Sequence, residues 1–397
     1  MPRKPSFLYV KVGNNAAKPR NLDPQSIVES EAKNKPIFIL FHFEEFLLQF
    51  PAVLALYITR HGRWRYTMRI GLDAHGCENI GADVAGAVRA LRQGSVGYAE
   101  IVLIGDEMMI GPQLRQLGWC SMDPECQLDV IHAPFRVPMD MTGRDAIKYR
   151  DCPFVVGATM LNDRSIDAFC SAGNSAAMVT ATTLIAGRID GVSKPGLAVG
   201  FPNAAGGQTI LADLGALKEC KPEELAQLAV MAHCYWLAEF GDTSPRVGLA
   251  NIGSEATKGT GVVQEADELL GKITLPGFNY IGFVEGNAIL DGSCDVVICD
   301  GFVGNILLKC LEVLPILVPV LLRQQSIECD EARLGEALSG FNYEIYGGVL
   351  CLGINGTVMV THGKASELAI ANMLTRASRL VDSPVNDRIK AAFAARE

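Results

Sequence analysis

"VICDGFVGNILLK", residues 297–309, holds the change of pattern that decides the fold. One apolar run stops at Asp300 and Gly301, and another begins after Gly304 and Asn305. The first run has the character of a buried strand, and the second has that of a helix. Glycine lets a ligand approach the backbone, and a helix N-terminus presents free N–H groups to an anion. The stretch therefore indicates a strand, a ligand-binding loop and a helix.

The same pattern recurs from Met68 onward, where short apolar runs and helical patterns alternate. It predicts a doubly wound three-layer α/β/α sandwich with a largely parallel sheet. Ligands bind such sheets beyond the carboxyl ends of the strands. The loops at residues 171–175, 253–259 and 300–305 are therefore expected to face one crevice, although each could equally be a tight strand-to-helix turn.

Residues 1–67 differ from the remainder in charge. They contain ten Lys and Arg against five Asp and Glu, whereas residues 68–397 contain 25 against 39. Their apolar run includes Glu44, Glu45 and Pro51, which disfavours a membrane span. We expect either an appended helix or translated sequence upstream of a true start at Met68, and the strand-like "MRIGLD" favours the second. The catalytic domain is then residues 68–397.

Composition and the lack of two nucleotide-binding motifs disfavour several classes of protein. The chain of 397 residues has a net charge of −9, which argues against a nucleic-acid partner. Its 12 cysteines form no CxxC pair and are expected to be buried thiols in a reducing cytosol. Neither a GxxxxGK[ST] loop nor GxGxxG after a strand occurs, so ATP and a dinucleotide are disfavoured. We expect a smaller anion, with no cofactor and no metal.

Several motifs in a fixed order narrow the interpretation further. They include "RIGLDAHG", "CSAGNSAAM", "PRVGLANIG", "DVVICDGFVGNILLK" and "YGGVLCLGINGTVMVTHG". Together they resemble the bacterial phosphate acyltransferases of phospholipid synthesis, the PlsX family, over roughly residues 68–380. The resemblance implies a fold of the isocitrate/isopropylmalate dehydrogenase and phosphotransacetylase type. It also implies conversion of acyl-[acyl carrier protein] and inorganic phosphate to acyl phosphate.

The resemblance assigns roles to named residues. Lys258 brings a flexible point charge and Asn305 a neutral donor, so both are the expected catalytic residues. A lysine in a loop is otherwise usually solvated, and Asp300 could equally be a helix cap. The expected substrate-binding residues are Asp73, Ser171, Gly173, Asn174, Asp300, Gly301 and Gly304.

The sequence also departs from the family pattern. His75, Cys77 and Glu78 alter the first loop, where a bulkier side chain replaces a glycine. Gly215-Ala216-Leu217 lacks an amide of the family pattern, and residues 362–366 differ as well. These loops are expected to be scaffold. His75 and His362 are expected to be structural.

Partners follow from charge and resemblance. Arg144, Lys148 and Arg150 are expected to dock the acidic carrier protein, although a solvated helix face is the alternative. "LEVLPILVPVLL", residues 311–322, is apolar almost all round and too short to span a membrane, so it is expected to dock at the membrane surface or to form a buried dimer core. The resemblance implies a cytoplasmic homodimer, peripheral at the inner face, that supplies a membrane glycerol-3-phosphate acyltransferase.

Three other functions stay open at this point. One is phosphotransacetylase-like chemistry on acyl-coenzyme A. Another is a decarboxylating dehydrogenase of the isopropylmalate type, for which Asp291, Asp295 and Asp300 could suggest magnesium. The third is a non-catalytic module that docks a carrier protein or scaffolds a membrane.

Overall fold

The computed structural model describes residues 57–58, 64–65, 68–119, 127–241 and 243–395. The chain divides into two compact units, Met1–Arg65 and Tyr66–Glu397. In the first unit, β1 (Tyr57–Ile58) pairs antiparallel with β2 (Trp64–Arg65). The expected helix or upstream sequence of residues 1–67 otherwise lies outside the described residues.

In the second unit, eleven strands form one sheet. They are β3 (Arg69–Asp73), β4 (Glu100–Gly105), β5 (Leu128–His132), β6 (Ala168–Ser171), β7 (Gly196–Pro202), β8 (Gln208–Ala212), β9 (Arg246–Ala250), β10 (Asn279–Val284), β11 (Val296–Ile298), β12 (Val349–Leu352) and β13 (Thr357–Val360). Their order across the sheet is β10-β9-β11-β8-β7-β12-β13-β6-β3-β4-β5. Most neighbouring strands are parallel, as predicted.

Helices cover both faces of this sheet. They are α1 (Ala82–Arg92), α2 (Glu107–Gln116), α3 (Gly143–Ala146), α4 (Pro153–Asn162), α5 (Ser175–Ala181), α6 (Pro222–Phe240), α7 (Gly261–Leu270), α8 (Ala288–Asp291), α9 (Gly301–Glu312), α10 (Leu314–Gln324), α11 (Glu331–Leu338), α12 (Tyr343–Tyr346), α13 (Glu367–Val381) and α14 (Val385–Ala394). A short π-helical segment, Thr182–Ala186, continues α5, and a 3-10 turn, Ser339–Phe341, precedes α12.

The strands are apolar throughout because both of their faces are buried. In β4, Ile101 and Leu103 belong to the core beneath α1, α6 and α13. Val102 and Ile104 belong to the core on the other face, beneath α4, α5 and α9. Alternate residues of a strand point to opposite faces, so an uninterrupted apolar strand supplies both layers.

Strand direction reverses within the sheet. β12 is antiparallel to β13 and β7, and β7 is antiparallel to β8. The strands β3, β4, β5, β6, β7 and β13 therefore end at one edge, which we call edge A. The strands β8, β9, β10, β11 and β12 end at the opposite edge, which we call edge B. Loops that follow strands consequently fall into two groups, not one.

The stretch quoted first supplies β11, a short loop and α9. The Asp300 carboxylate caps α9, because its Oδ1 accepts the Val303 N–H at 2.8 Å. α9 has 12 residues, or about 18 Å at 1.5 Å per residue. Its N-terminus lies at edge B, and its C-terminal Glu312 reaches His362, which follows β13 at edge A. α9 thus spans the distance between the two edges.

The apolar segment 311–322 forms the end of α9 and most of α10. Pro315 lies in the first turn of α10 and Pro319 lies inside it. In the described part of the chain, no single helix is long and apolar enough to cross a membrane. α9 and α10, which meet at a 41° bend, pass that test as a pair by length and composition.

Candidate active site

The two residues expected to be catalytic lie at edge B. Lys258 belongs to the loop after β9, and Asn305 lies in the second turn of α9, which follows β11. β9 and β11 are parallel neighbours, with Val247 opposite Val296. Both side chains are exposed. Neighbouring parallel strands thus bring both residues to the same edge, although 47 positions separate them in the chain.

The loop that carries Lys258 is held by its own side chains. Asn251 Nδ2 donates to the Lys258 carbonyl oxygen at 3.2 Å, and Gln264 Nε2 donates to the same oxygen at 3.3 Å. Gly253 leaves room for the lysine stem, since a Cβ there would lie 3.3 Å from Lys258 Cγ. Among the described residues, no carboxylate pairs with the Lys258 ammonium group. Hydrogen bonds therefore hold the backbone of this loop in place, and the Lys258 ammonium group remains available to a ligand.

A buried carboxylate that the sequence interpretation missed lies beneath this edge. Asp213, at the end of β8, is 0% exposed. Burial raises the pKa of this carboxyl, and backbone N–H groups oppose the rise. These N–H groups belong to Leu197 at 2.7 Å, Leu214 at 2.6 Å, Gly215 at 3.3 Å, Ala216 at 3.2 Å and Leu217 at 2.6 Å.

Gly301 and Gly304 let α9 pack directly on the loop at residues 213–217. A Cβ on Gly301 would lie 2.6 Å from Asp213 Oδ2, and one on Gly304 would overlap the Asp213 carbonyl oxygen. The Gly301 N–H also donates to the Leu217 carbonyl oxygen at 2.8 Å. The two glycines expected to approach a ligand therefore approach the protein's own backbone.

At edge A, a polar network joins the ends of β3 and β6. Ser171 Oγ donates to Asp73 Oδ2 at 2.7 Å and accepts the Gly173 N–H at 2.8 Å. Asp73 Oδ1 accepts the His75 N–H at 3.1 Å. Burial raises the pKa of Asp73 to about 6, while the Ser171 and His75 hydrogen bonds lower it. The structure thus brings Asp73, Ser171 and Gly173 together, as one group.

Both the oxygen and the nitrogen of the Asn174 side-chain amide are hydrogen-bonded within the protein. Its Oδ1 accepts the Ala177 N–H at 3.0 Å and so caps α5. Its Nδ2 donates to the carbonyl oxygens of Met139 at 3.0 Å and Met141 at 2.7 Å. Asn174 therefore fixes the loop before α3 and does not offer a free amide.

The altered first loop is accommodated by the loop after β13. Cys77 is buried, and its Sγ lies 3.0 Å from the Ala365 carbonyl oxygen. The Glu78 N–H donates to the Gly363 carbonyl oxygen at 2.6 Å. The loop keeps its close packing elsewhere, because a Cβ on Gly76 would lie 2.6 Å from the Gly173 nitrogen. The bulkier Cys77 side chain thus points away from the Asp73–Ser171 contact.

Arg136 and His75 hold this first loop in place. Arg136 donates to the carbonyl oxygens of His75 at 3.1 Å and Cys77 at 2.9 Å. His75 Nε2 accepts the Asp106 N–H at 2.8 Å, just before α2. Burial lowers the pKa of His75, which favours the neutral ring that this acceptor role requires. His75 thus joins the first loop to the start of α2, and its structural role stays a prediction; no local sequence signal identified Arg136.

A second group at edge A surrounds Glu312. Lys309 Nζ and Tyr346 Oη donate to its carboxylate at 2.8 and 2.6 Å, and His362 Nε2 lies 2.7 Å from Oε1. Burial opposes ionisation, but these three partners lower the pKa of Glu312 to about 2. The group borders a cavity of about 440 Å³, also lined by Glu78, Val313, Tyr343, Gly363 and Lys364.

The basic segment expected to dock a carrier protein lies between β5 and α4, on the edge A side. Arg144 and Arg150 are exposed. Lys148 Nζ pairs with Asp145 Oδ1 at 2.6 Å, so one of the three charges is partly neutralised. Tyr149 stacks on Phe135 with ring centroids 3.7 Å apart, which gives the segment a fixed aromatic base.

The expected site residues therefore form two groups within one chain. Asp73, Ser171, Gly173 and Asn174 lie at edge A, while Lys258, Asp300, Gly301, Gly304 and Asn305 lie at edge B. The single crevice expected from the sequence is wrong for one chain, because β7 and β12 reverse the direction of the sheet. The acids considered for magnesium also separate, since Asp295 lies at the other end of β11 and pairs with Arg246 at 2.8 Å.

Comparison with known proteins gives a family match over most of the chain. Residues 68–388 match the family described as Fatty acid synthesis protein. The phosphate acyltransferase of Brevibacillus brevis is 34% identical over 334 residues, which cover 81% of this chain and 96% of that protein. The phosphate acyltransferase of Thermoanaerobacter pseudethanolicus is 36% identical over 334 residues, with coverages of 81% and 96%.

Solved structures agree with the fold. A phosphotransacetylase from Streptococcus pyogenes superposes with a TM-score of 0.54 at 16% identity, covering 80% of this chain and 94% of that one. A phosphotransacetylase from Staphylococcus aureus gives a TM-score of 0.52 at 16% identity, with coverages of 79% and 94%. At such identities the likeness concerns the fold alone, and it confirms the predicted fold class.

Proposed function

The chain belongs to the family of fatty acid synthesis proteins whose curated members are phosphate acyltransferases, and from this premise we propose that it acylates inorganic phosphate with an acyl group taken from acyl-[acyl carrier protein]. The family resemblance of the motifs is thereby confirmed, and the chain is an acyltransferase of fatty acid and phospholipid synthesis. The carrier-protein substrate and the roles of single residues belong to the proposal.

One observation carries the proposal most directly. Lys258 and Asn305 follow neighbouring parallel strands and lie at one edge, beside the N-terminus of α9. A phosphate oxygen attacks the thioester carbonyl, the developing oxyanion accepts hydrogen bonds, and the thiolate leaves. The acyl–sulfur bond breaks as the acyl–oxygen bond forms. In this proposal Lys258 neutralises phosphate or the oxyanion, and Asn305 donates without adding charge.

The test uses acyl-[acyl carrier protein] and inorganic phosphate as the only substrates. We expect mass spectrometry to detect acyl phosphate and free carrier protein in equal amounts, and we expect no acyl release without phosphate. Acyl release that does not depend on phosphate, or no acyl release at all, would refute the proposal.

Acyl-coenzyme A is the second candidate donor. The chain shares its fold with phosphotransacetylases, and this likeness, which concerns the fold alone, is the reason to test acyl-coenzyme A as a donor. The same assay with acyl-coenzyme A in place of the carrier substrate distinguishes the two. A kcat/KM higher for acyl-coenzyme A would transfer the proposal to that donor.

The carrier protein is proposed to dock at edge A through Arg144, Lys148 and Arg150. Carrier proteins of this class are acidic, and so is this chain, with a net charge of −9. A local basic surface is then needed to overcome repulsion between like charges. The exposed Arg144 and Arg150 provide such a surface.

A second copy of the chain is proposed to cover the start of α9. Phe302, Val303 and Ile306 are 66%, 40% and 50% exposed, which leaves a large apolar face beside the proposed reaction groups. α10 follows the other end of α9 and has its own exposed apolar side chains. We propose that α10 contacts the inner face of the membrane, where a glycerol-3-phosphate acyltransferase would take up acyl phosphate. Sedimentation velocity tests the dimer; a monomer at micromolar concentration would exclude it.

A further inference from the structure

We infer that Asp213 is a positioning residue for acyl transfer, holding the loop at residues 213–217 in the shape on which the start of α9, and with it Asn305, is seated. This inference rests on the proposed role of Asn305. It goes beyond the expectation from the sequence that this loop, which departs from the family pattern, is scaffold only.

The loop at residues 213–217 forms an anion nest that is already filled. Four consecutive backbone N–H groups, from Leu214 to Leu217, point at one carboxylate, and that carboxylate is Asp213 itself. Successive N–H groups of this kind commonly bind phosphate. Here the residue that precedes them occupies the nest, so phosphate is directed to other donors at edge B.

α9 packs directly on this filled nest. Gly301 and Gly304 both place their Cα atoms against Asp213, and the Gly301 N–H is bonded to the Leu217 carbonyl oxygen at 2.8 Å. No side chain lies between the loop and the helix at these two positions. A change in the shape of the loop would therefore move the first turn of α9 directly.

The same loop also contacts Asn305, the residue proposed to donate to the oxyanion. Gly215 has a φ of 129°, and a Cβ on it would lie 3.6 Å from Asn305 Cβ and 3.8 Å from Asn305 Oδ1. The Asn305 amide thus lies over the middle of the nest. Asp213, Gly215 and Asn305 form one continuous stack from the sheet to the exposed edge.

A buried Asp bonded to backbone could instead serve stability alone. The two roles differ in what they predict for turnover. A stabilising residue changes the melting temperature and leaves kcat of the folded enzyme near the parent value. A positioning residue lowers kcat in the folded enzyme, because a 1 Å misplacement of a reacting group can cost about 10²-fold.

The experiment compares Asp213→Asn with Asp295→Asn in the full chain, using phosphate and the acyl carrier substrate. The amide introduced by Asp213→Asn would turn an N–H₂ group toward backbone donors, which should distort the loop. Asp295 is the matched control, since it accepts three hydrogen bonds from Arg246 at the opposite end of β11. Both variants should melt at lower temperature than the parent.

We expect Asp213→Asn to lower kcat by about 10²-fold with little change in KM for phosphate, and Asp295→Asn to leave kcat within about twofold. In an Asn305→Ala background the Asp213→Asn loss should shrink to less than about threefold, since residues that act through one group are not additive. If Asp213→Asn does not fold, Gly215→Ala should lower kcat in the same way, because the φ of 129° at Gly215 is strained for a residue with a Cβ and the loop beneath Asn305 would shift.

A parent-like kcat in Asp213→Asn, or in Gly215→Ala where that variant replaces it, overturns the inference. So does a full loss in the Asn305→Ala background. The proposed function fails separately, if the parent makes no acyl phosphate or if Asn305→Ala alone retains full kcat.

Discussion

Lys258 and Asn305 are the residues on which the proposed chemistry depends most. Lys258→Ala and Asn305→Ala should each lower kcat by about 10² to 10³, the range seen when one oxyanion donor is removed. Both side chains are exposed, so melting temperatures should stay near the parent value. Steady-state kinetics with both substrates, paired with thermal melts, measure the effect.

The double variant tests whether the two side chains serve one reacting centre. If they do, its loss should be smaller than the product of the single losses. Multiplicative losses would mean that they act independently, and a near-parent kcat in either single variant would remove that residue from the chemistry.

Asp73 should make folding stability depend on pH. Its pKa is raised from 3.8 to about 6, mainly by burial, so the folded state binds the proton more tightly than the unfolded state. Stability from this group is then fully present below pH 4 and is lost as pH rises from about 4 to about 6. The total loss is on the order of 2 to 3 kcal/mol.

Asp73→Asn should remove this dependence. The free energy of unfolding of the parent minus that of the variant, measured by urea denaturation, should fall between pH 4 and pH 6 and level off near pH 7. A difference that is independent of pH would show that Asp73 is not protonated preferentially in the folded protein.

The sequence predicted some roles of side chains at the ends of loops but not others. From the family resemblance, Asn174 and Asp300 were expected to bind substrate, with a helix cap as the alternative for Asp300; in the structure both are N-caps. The sequence could not show that Asn174 also binds carbonyl oxygens 33 to 36 positions away. Asp213 was missed because its partners are backbone N–H groups, which leave no mark on residue type.

At the scale of elements, the segment around α3 should control recognition of the carrier protein. Arg144→Glu with Lys148→Glu should raise KM for the acyl carrier substrate far more than KM for phosphate. The effect should shrink as salt rises, because exposed charges are screened over roughly 10 Å at 0.1 M ionic strength.

Lys272→Glu with Lys390→Glu is the control for this change. It alters net charge equally, at two exposed lysines outside the segment. Equal KM increases in both double variants would indicate a general charge effect and not a docking surface.

α10 should mediate weak, reversible binding to membranes. Leu317 and Leu321 are 42% and 49% exposed, and α10 contains no fully buried residue. Leu317→Glu with Leu321→Glu should therefore abolish co-sedimentation with anionic liposomes while leaving a folded dimer in solution.

Ile80→Glu with Met108→Glu is the matched control, since these side chains are 75% and 76% exposed outside α10. It should co-sediment like the parent. Liposome binding that survives the α10 substitutions would exclude α10, and loss of the dimer would assign it to the subunit interface.

At the scale of the whole molecule, the domain that begins at Met68 should fold and work alone. The family match covers residues 68–388, and the described sheet and helices of the second unit begin at Arg69. A chain of residues 68–397 should equal the full chain in melting temperature and kcat. Insoluble expression or lost activity would make residues 1–67 part of the functional enzyme.

The sequence predicted the overall fold better than it predicted the arrangement of the loops. Apolar runs such as "RIGLD" and "EIVLIG" revealed buried strands, because both faces of the sheet need apolar side chains. The same runs carry no information on direction. The antiparallel strands β7 and β12 are as apolar as their parallel neighbours, so the division into two edges could not be inferred from them.

Because α9, about 18 Å long, begins at edge B and ends at Glu312 at edge A, the chain has two separate places where an inhibitor could bind. If the carrier protein docks at edge A as proposed, a compound bound in the Glu312 cavity there would hinder the carrier protein and leave the proposed phosphate-binding residues, Lys258 and Asn305, accessible. It would therefore compete with the protein substrate and not with the ion. A high concentration of phosphate in the cell would then not reduce inhibition by such a compound.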